Sequence, residues 1–206
     1  KELFIVQARP ETIYSQKDFS KITEYVIDDE QPGNILVKGI AVGDKIGAGK
    51  VSILFSLDKR LTDGHEFQAG DVLVTDMTDP DWEPVMKKAS AIITNKGGRT
   101  CHAAIVAREL GVPAIVGCGN ATEILNAGQM VTASCAGGDE GVVYEGKVPF
   151  KKVETDLSDL PKVKTPIMLN VASPNLAFRF SHLPNAGVGL AREEFIINNY
   201  IGVHPM

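Results

Sequence analysis

No apolar run in the sequence approaches the roughly 18 residues that crossing a bilayer requires, and no signal-peptide pattern opens it, so no membrane partner is expected. Cysteine is scarce. Cys101, Cys118 and Cys135 are an odd number without a C-x-x-C pair, most simply read as reduced thiols in the cytoplasm. Positive charge is not clustered: 21 Lys and Arg are scattered among 26 Asp and Glu, for a net charge of -5, which argues against a nucleic-acid surface. The phosphate loop G-x-x-x-x-G-K-[ST] is absent, as are internal repeats and low-complexity tracts.

What is present is ordinary material for a soluble fold, 44% hydrophobic and 23% charged, in 206 residues that can bury one good core with chain left over. Residues 3–8 read as a strand stopped by Pro10, and 12–34 as a polar linker containing some helix. Short strands separated by glycines are expected at 35–37, 39–42 and 51–55, then at 71–75. A helix is expected over 82–88 and a strand over 91–94. Ala103–Leu110, rich in helix formers, predicts a helix closed by Gly111 with Pro113 beyond. Further strands are expected at 114–116, 130–133 and 141–144, and 150–165 reads as a second linker around Pro161. A strand over 166–171, a helical segment and a strand over 188–190 suggest the opening of an α/β barrel. The chain begins at Lys1 straight before the apolar Leu3–Val6 and stops soon after an apolar helical stretch, which suggests a piece of a longer protein.

The chemistry concentrates in Asn95-Lys96-Gly97-Gly98-Arg99-Thr100-Cys101-His102, between a strand and a helix. Glycines there let the backbone approach an anion, and a helix N-terminus attracts one by roughly 0.3–1 kcal/mol. A nucleophilic imidazole must be neutral, because the protonated ring has no free lone pair. On spacing alone, a histidine that merely begins a helix after a turning Gly-Gly remains open. Thr100 reads as an N-cap or near-cap hydroxyl. Cys101 could assist or simply fill space. The acidic loop Asp76, Asp79, Asp81, Glu83 does not follow the 12-residue calcium spacing and reads as a solvated loop beside the histidine.

Residues 97–117, GGRTCHAAIVARELGVPAIVG, resemble the phosphohistidine signature of the phosphoenolpyruvate-utilising enzymes, and Thr-Cys-His resembles their pyruvate, water dikinase branch. The resemblance extends over essentially the whole chain. Val6-Gln7-Ala8-Arg9-Pro10-Glu11-Thr12 looks like the last strand of that family's ATP-grasp domain, and Gly187-Val188-Gly189-Leu190-Ala191-Arg192 like the start of its phosphoenolpyruvate/pyruvate barrel. The resemblance therefore implies an α/β chain: an ATP-grasp end (1–16), a linker (17–34), a swivelling β/β/α phosphohistidine domain (35–149), a linker (150–165) and a TIM-type barrel start (166–206). It implies His102 as phosphoryl carrier between ATP and pyruvate, making phosphoenolpyruvate with AMP and phosphate as co-products. It further implies Gln7 and Arg9 at ATP phosphates, Arg192 at the substrate carboxylate or phosphate, and Thr100 as target of a regulatory kinase/phosphorylase. Mg²⁺ dependence is implied, with the metal bound mainly outside this chain, and a homo-oligomer is left open. The phosphotransferase-system enzyme and pyruvate, phosphate dikinase share the histidine motif, and a non-catalytic swivelling module is the alternative of another class. A flexible stretch of about 15 residues averages roughly 20 Å end to end and reaches about 50 Å, enough for a domain to swing between two sites.

Overall fold

A computed structural model describes residues 20–28, 33–57, 67–158, 160–161, 163–174, 177, 180–197 and 201–203. The described chain divides into two compact units, one holding residues 24–153 and the other 20–23 with 154–203.

The first unit is built on a closed β-barrel. Its strands are β2 (Ile35–Val42), β3 (Ile46–Ile53), β4 (Val72–Thr75), β5 (Ala91–Thr94), β6 (Ala114–Val116), β7 (Met130–Ser134) and β8 (Glu140–Glu145). They close in the order β2-β6-β5-β4-β3-β7-β8. β3, β4, β5 and β6 run parallel to their neighbours in that run, and the remaining pairs are antiparallel. Parallel neighbours need crossovers. Pro80–Trp82 (a 3₁₀ turn) with α1 (Glu83–Met86) makes the one from β4 to β5, and α2 (His102–Leu110) the one from β5 to β6.

Side-chain alternation sorts the core into two clusters. Val72 and Val74, Ala91 and Ile93, and Ile115 belong to the cluster that fills the barrel. The residues between and beside them, Leu73, Ile92, Ala114 and Val116, face out and pack with Trp82, Met86 and the buried face of α2. Each such buried aliphatic side chain contributes roughly 1.5–3 kcal/mol. α2 turns Ala103, Ala104, Val106 and Ala107 inward. It ends where Gly111 adopts φ 65°, with Gly111 N–H bonded to Arg108 O and Val112 N–H to Ala107 O. Lys45 Nζ donates to the Gly111 carbonyl at 2.7 Å, a cation at the negative end of the helix.

The expected strand breaks at the glycines do not occur. β2 runs straight through Gly39, and β3 through Gly47 and Gly49. Glycine marks close backbone approach here rather than a turn. A Cβ at Gly47 would lie 2.1 Å from the Ser90 carbonyl oxygen. Gly47→Ala should therefore destabilise the chain by roughly 3 kcal/mol, lowering the thermal midpoint by roughly 6–12 °C. An unchanged midpoint would show that the Ser90 segment yields freely.

The stretches read as linkers hold strands. β1 (Lys21–Ile27) and β9 (Phe150–Asp156) form a two-stranded sheet, and within the stretch 12–34 expected to hold some helix, β1 is extended. Asp28 N–H donates to Pro149 O at 3.1 Å, and the Tyr25 and Phe150 rings lie 6.2 Å apart. The charges of β9 suggested solvated coil, and all seven residues are indeed exposed. Ladder hydrogen bonds form regardless of which side chains face water.

In the second unit, β10 (Leu169–Val171) pairs in parallel with β11 (Val188–Ala191), with a register irregularity after Leu169. A parallel pair at this separation is what a β–α–β crossover produces. The helical segment expected between them falls partly outside the described residues. α4 (Glu193–Ile196) follows β11.

Candidate functional site

β4 and β5 lie side by side, Thr75 opposite Thr94, so their C-terminal ends deliver two adjacent loops. The loop after β4 carries Thr78, and the loop after β5 leads to His102. Asn95 N–H donates to Thr75 O at 3.1 Å and Lys96 N–H to Asp76 O at 2.9 Å, extending the strand pairing into the loops. Lys96 Nζ lies 2.8 Å from Asp76 Oδ2, and Asn95 Nδ2 is 3.4 Å from Asp76 Oδ1. The hydrogen bond from Lys96 is the main reason the Asp76 carboxyl titrates below its usual range.

At the end of these loops, Thr78 Oγ1 is 2.9 Å from His102 Nδ1. Thr78 is buried and His102 half-buried. In a neutral imidazole one nitrogen carries the proton and the other the lone pair. The Thr78 hydroxyl can accept from Nδ1–H, which leaves the lone pair on Nε2, or donate to a bare Nδ1. Either way the contact holds the imidazole in one orientation.

The chain before α2 is shaped by close contacts. Gly97 has φ 114°, and a Cβ there would meet Cys101 Sγ at 2.7 Å. The N-cap of α2 is Cys101, extended at φ −69° and ψ 162°, and no side chain caps the helix. Thr100, expected as a cap, is instead exposed and one residue too early. The first helical bond runs from Ile105 N–H to Cys101 O. The amides of His102, Ala103 and Ala104 therefore have no acceptor within the helix, and its first turn carries no acid. Such amides are suited to an anion. Arg108 Nη1 donates to Arg99 O at 2.7 Å, and Arg99 Nη2 pairs with Asp139 Oδ1 at 3.1 Å, tying the loop to the helix and to the β7–β8 turn.

The other sequence candidates separate. Arg192 lies in the second unit, at the N-cap of α4, with Nη1 3.9 Å from Glu194 Oε1 and both side chains well exposed. Gln7 and Arg9 lie outside the described residues. In the acidic loop, Asp79 Oδ1 accepts the Asp81 N–H at 3.1 Å, a turn contact. Among the described residues no group of three or more His, Cys, Asp or Glu is placed to hold a metal ion. Burial pushes the Cys118 thiol up to about 12 and the Cys135 thiol up to about 11, so both are neutral packing groups near pH 7. Among the described residues no helix is long and apolar enough to cross a membrane.

Thr78 is the residue that sequence reasoning missed. Within Asp76-Met77-Thr78-Asp79-Pro80 it looked like part of a solvated acidic turn, and only the β4–β5 pairing brings it to the histidine. Thr78→Val keeps the shape but leaves Nδ1 facing a methyl group. Phosphorylation at the imidazole should fall roughly ten- to hundred-fold, read as the initial rate of label incorporation. An unchanged rate would mean that the hydroxyl does not orient the imidazole.

The barrel and its paired loops describe a domain that holds an oriented, half-buried imidazole at the start of α2. Residues 67–138, which include both Thr78 and His102, match the family described as PEP-utilising enzyme, mobile domain. Over 208 residues the chain is 58% identical to the phosphoenolpyruvate synthase of Aquifex aeolicus, covering 100% of this chain and 24% of the relative. Against the phosphoenolpyruvate synthase of Pseudomonas aeruginosa the identity is 55% over 204 residues, covering 99% and 25%. The chain thus spans about a quarter of the length of these relatives. A solved structure of Enzyme I, 35% identical over 38% of this chain and 32% of its own, superposes with a TM-score of 0.31, too low to inform the fold.

Proposed function

We propose that this chain is the phosphoryl-carrying part of an enzyme of the phosphoenolpyruvate synthase type. Such an enzyme converts ATP, pyruvate and water to phosphoenolpyruvate, AMP and phosphate, in the cytoplasm. The observation that carries this reading is the 2.9 Å contact of Thr78 Oγ1 with His102 Nδ1, within the segment that matches the family. Nε2 attacks the β-phosphorus of ATP, the Pα–O–Pβ bridge breaks and AMP leaves; water then cleaves the remaining Pβ–O–Pγ bridge, releasing phosphate and leaving one phosphoryl group on Nε2. The enolate oxygen of pyruvate then attacks that phosphorus, the N–P bond breaks, and its electron pair returns to Nε2. Throughout, Thr78 holds the Nδ1 proton, and the free amides at the start of α2 stabilise the phosphoryl charge. Mg²⁺, which the family resemblance implies, would be held by residues outside those described.

In this reading residues 1–16 end an ATP-grasp domain, with Gln7 and Arg9 at the phosphates, and residues 166–206 begin a TIM-type barrel. Arg192 clamps substrate there, since its planar fork suits carboxylate and phosphate. Arg192→Lys should slow transfer to pyruvate roughly ten- to hundred-fold while sparing phosphorylation by ATP. Equal losses in both half-reactions would assign Arg192 to structure, through Glu194.

The deciding experiment incubates the full-length enzyme with ATP labelled in the β-phosphoryl group and digests it under alkaline conditions that preserve phosphohistidine. Label is expected on the peptide containing His102. Label elsewhere would remove the basis of the proposal.

A further inference from the structure

Thr78 reaches His102 from a loop with an exposed neighbour, Met77, and the loop's position is set two residues earlier. The Asp76 carboxylate is gripped on both oxygens, by Lys96 Nζ at 2.8 Å and Asn95 Nδ2 at 3.4 Å. Asn95 is itself anchored to α3 (Ala121–Ile124), where its Oδ1 accepts the Thr122 N–H at 3.1 Å and its Nδ2 donates to Thr122 Oγ1 at 2.7 Å. A continuous set of bonds therefore runs from α3 through Asn95 and Asp76 to the strand end that presents Thr78.

From this geometry we infer that Asp76, clasped by Asn95 and Lys96, is a positioning residue for the phosphoryl carrier: it keeps Thr78 Oγ1 within reach of His102 Nδ1 and so holds the imidazole in the orientation that presents Nε2. The inference rests on the proposed role of His102. It differs from a general stabilising role in that Asp76, whose carboxylate bonds to Lys96 and Asn95 and not to the imidazole, acts through one hydroxyl. A shift of about 1 Å in a positioning group is enough to cost up to about a hundred-fold in rate.

A double-mutant cycle in the full-length enzyme tests it, read as the initial rate of His102 labelling from β-labelled ATP. Asp76→Ala should reduce the rate roughly ten-fold when Thr78 is present. In a Thr78→Val background, where no hydroxyl is left to position, the same change should cost less than about two-fold. Phosphorylation from phosphoenolpyruvate should show the same pattern, because the same nitrogen attacks. Asp76→Asn keeps one acceptor oxygen and sets an amide N–H₂ against the other donor, so it should restore only part of the rate. An undiminished Asp76→Ala rate, or losses that multiply independently of Thr78, would overturn the inference. If Asp76→Ala fails to fold, the cycle of Lys96→Met with Thr78→Val is read by the same rule and decides. Absence of label on His102 in the unsubstituted enzyme would instead defeat the functional proposal itself.

Discussion

His102→Ala will abolish phosphohistidine formation from ATP and from phosphoenolpyruvate alike, and with it all synthesis of phosphoenolpyruvate. In the proposed reaction both half-reactions share one nitrogen, so no partial activity is expected in either direction. The fold should survive. Alanine is the best helix former, and position 102 opens α2 without capping it. The lost bond to Thr78 should cost about 1 kcal/mol, so the thermal midpoint should stay within a few degrees of the unsubstituted enzyme. The neighbouring Cys101 is the control that makes the result informative, since a half-buried free thiol is the nearest other nucleophile on this loop. Label retained in His102→Ala at Cys101, or turnover without any covalent intermediate, would show that the imidazole is not the carrier.

Some of this architecture was legible before any coordinates. Val72-Leu73-Val74 and Ala91-Ile92-Ile93 are apolar at every position, as strands buried on both faces must be, and both are fully buried. The helix after His102 was readable from AAIVAREL and from Gly111, which takes the left-handed conformation its place suggests. Gly39 and Gly47 were misread because a glycine that admits a neighbouring backbone looks, in one dimension, like a glycine that turns the chain. The β1–β9 ribbon was read as linker because its exposed charges carry no burial signal, while its pairing joins segments more than a hundred residues apart.

The site itself divides the same way. His102 and its glycines are local, so a short window of sequence contains them. Thr78 and Asp76 belong to the site through the parallel register of β4 and β5, which no window contains. The cap assigned to Thr100 failed by one residue, because Cys101 takes the extended conformation that starts the helix. That displacement leaves the Thr100 hydroxyl exposed and uncommitted to the helix, which changes what a modification there would do.

Phosphorylating Thr100 should switch the full-length enzyme off, with both half-reactions failing together. The residue is exposed, so a regulatory kinase can reach it, and it sits two residues before His102 at the uncapped end of α2. A phosphothreonine brings about −1.5 to −2 charges. The amides of His102, Ala103 and Ala104 are the nearest donors, and filling them with that phosphate removes them from the phosphoryl group on Nε2. The same charge repels the incoming group from either donor. Rates should fall at least about a hundred-fold, the sum of a lost charged contact and like-charge repulsion at roughly 1.5 kcal/mol each. Thr100→Glu, with one charge and a different reach, should inhibit partially. Thr100→Val should remain active, resist modification and keep its stability within about 0.5 kcal/mol, because the hydroxyl caps nothing. The measurement is phosphohistidine formation from labelled ATP and, separately, from labelled phosphoenolpyruvate, for all four forms. Loss confined to one donor would point to blocked docking at one partner domain, and normal rates from either donor would rule out occlusion of the helix end.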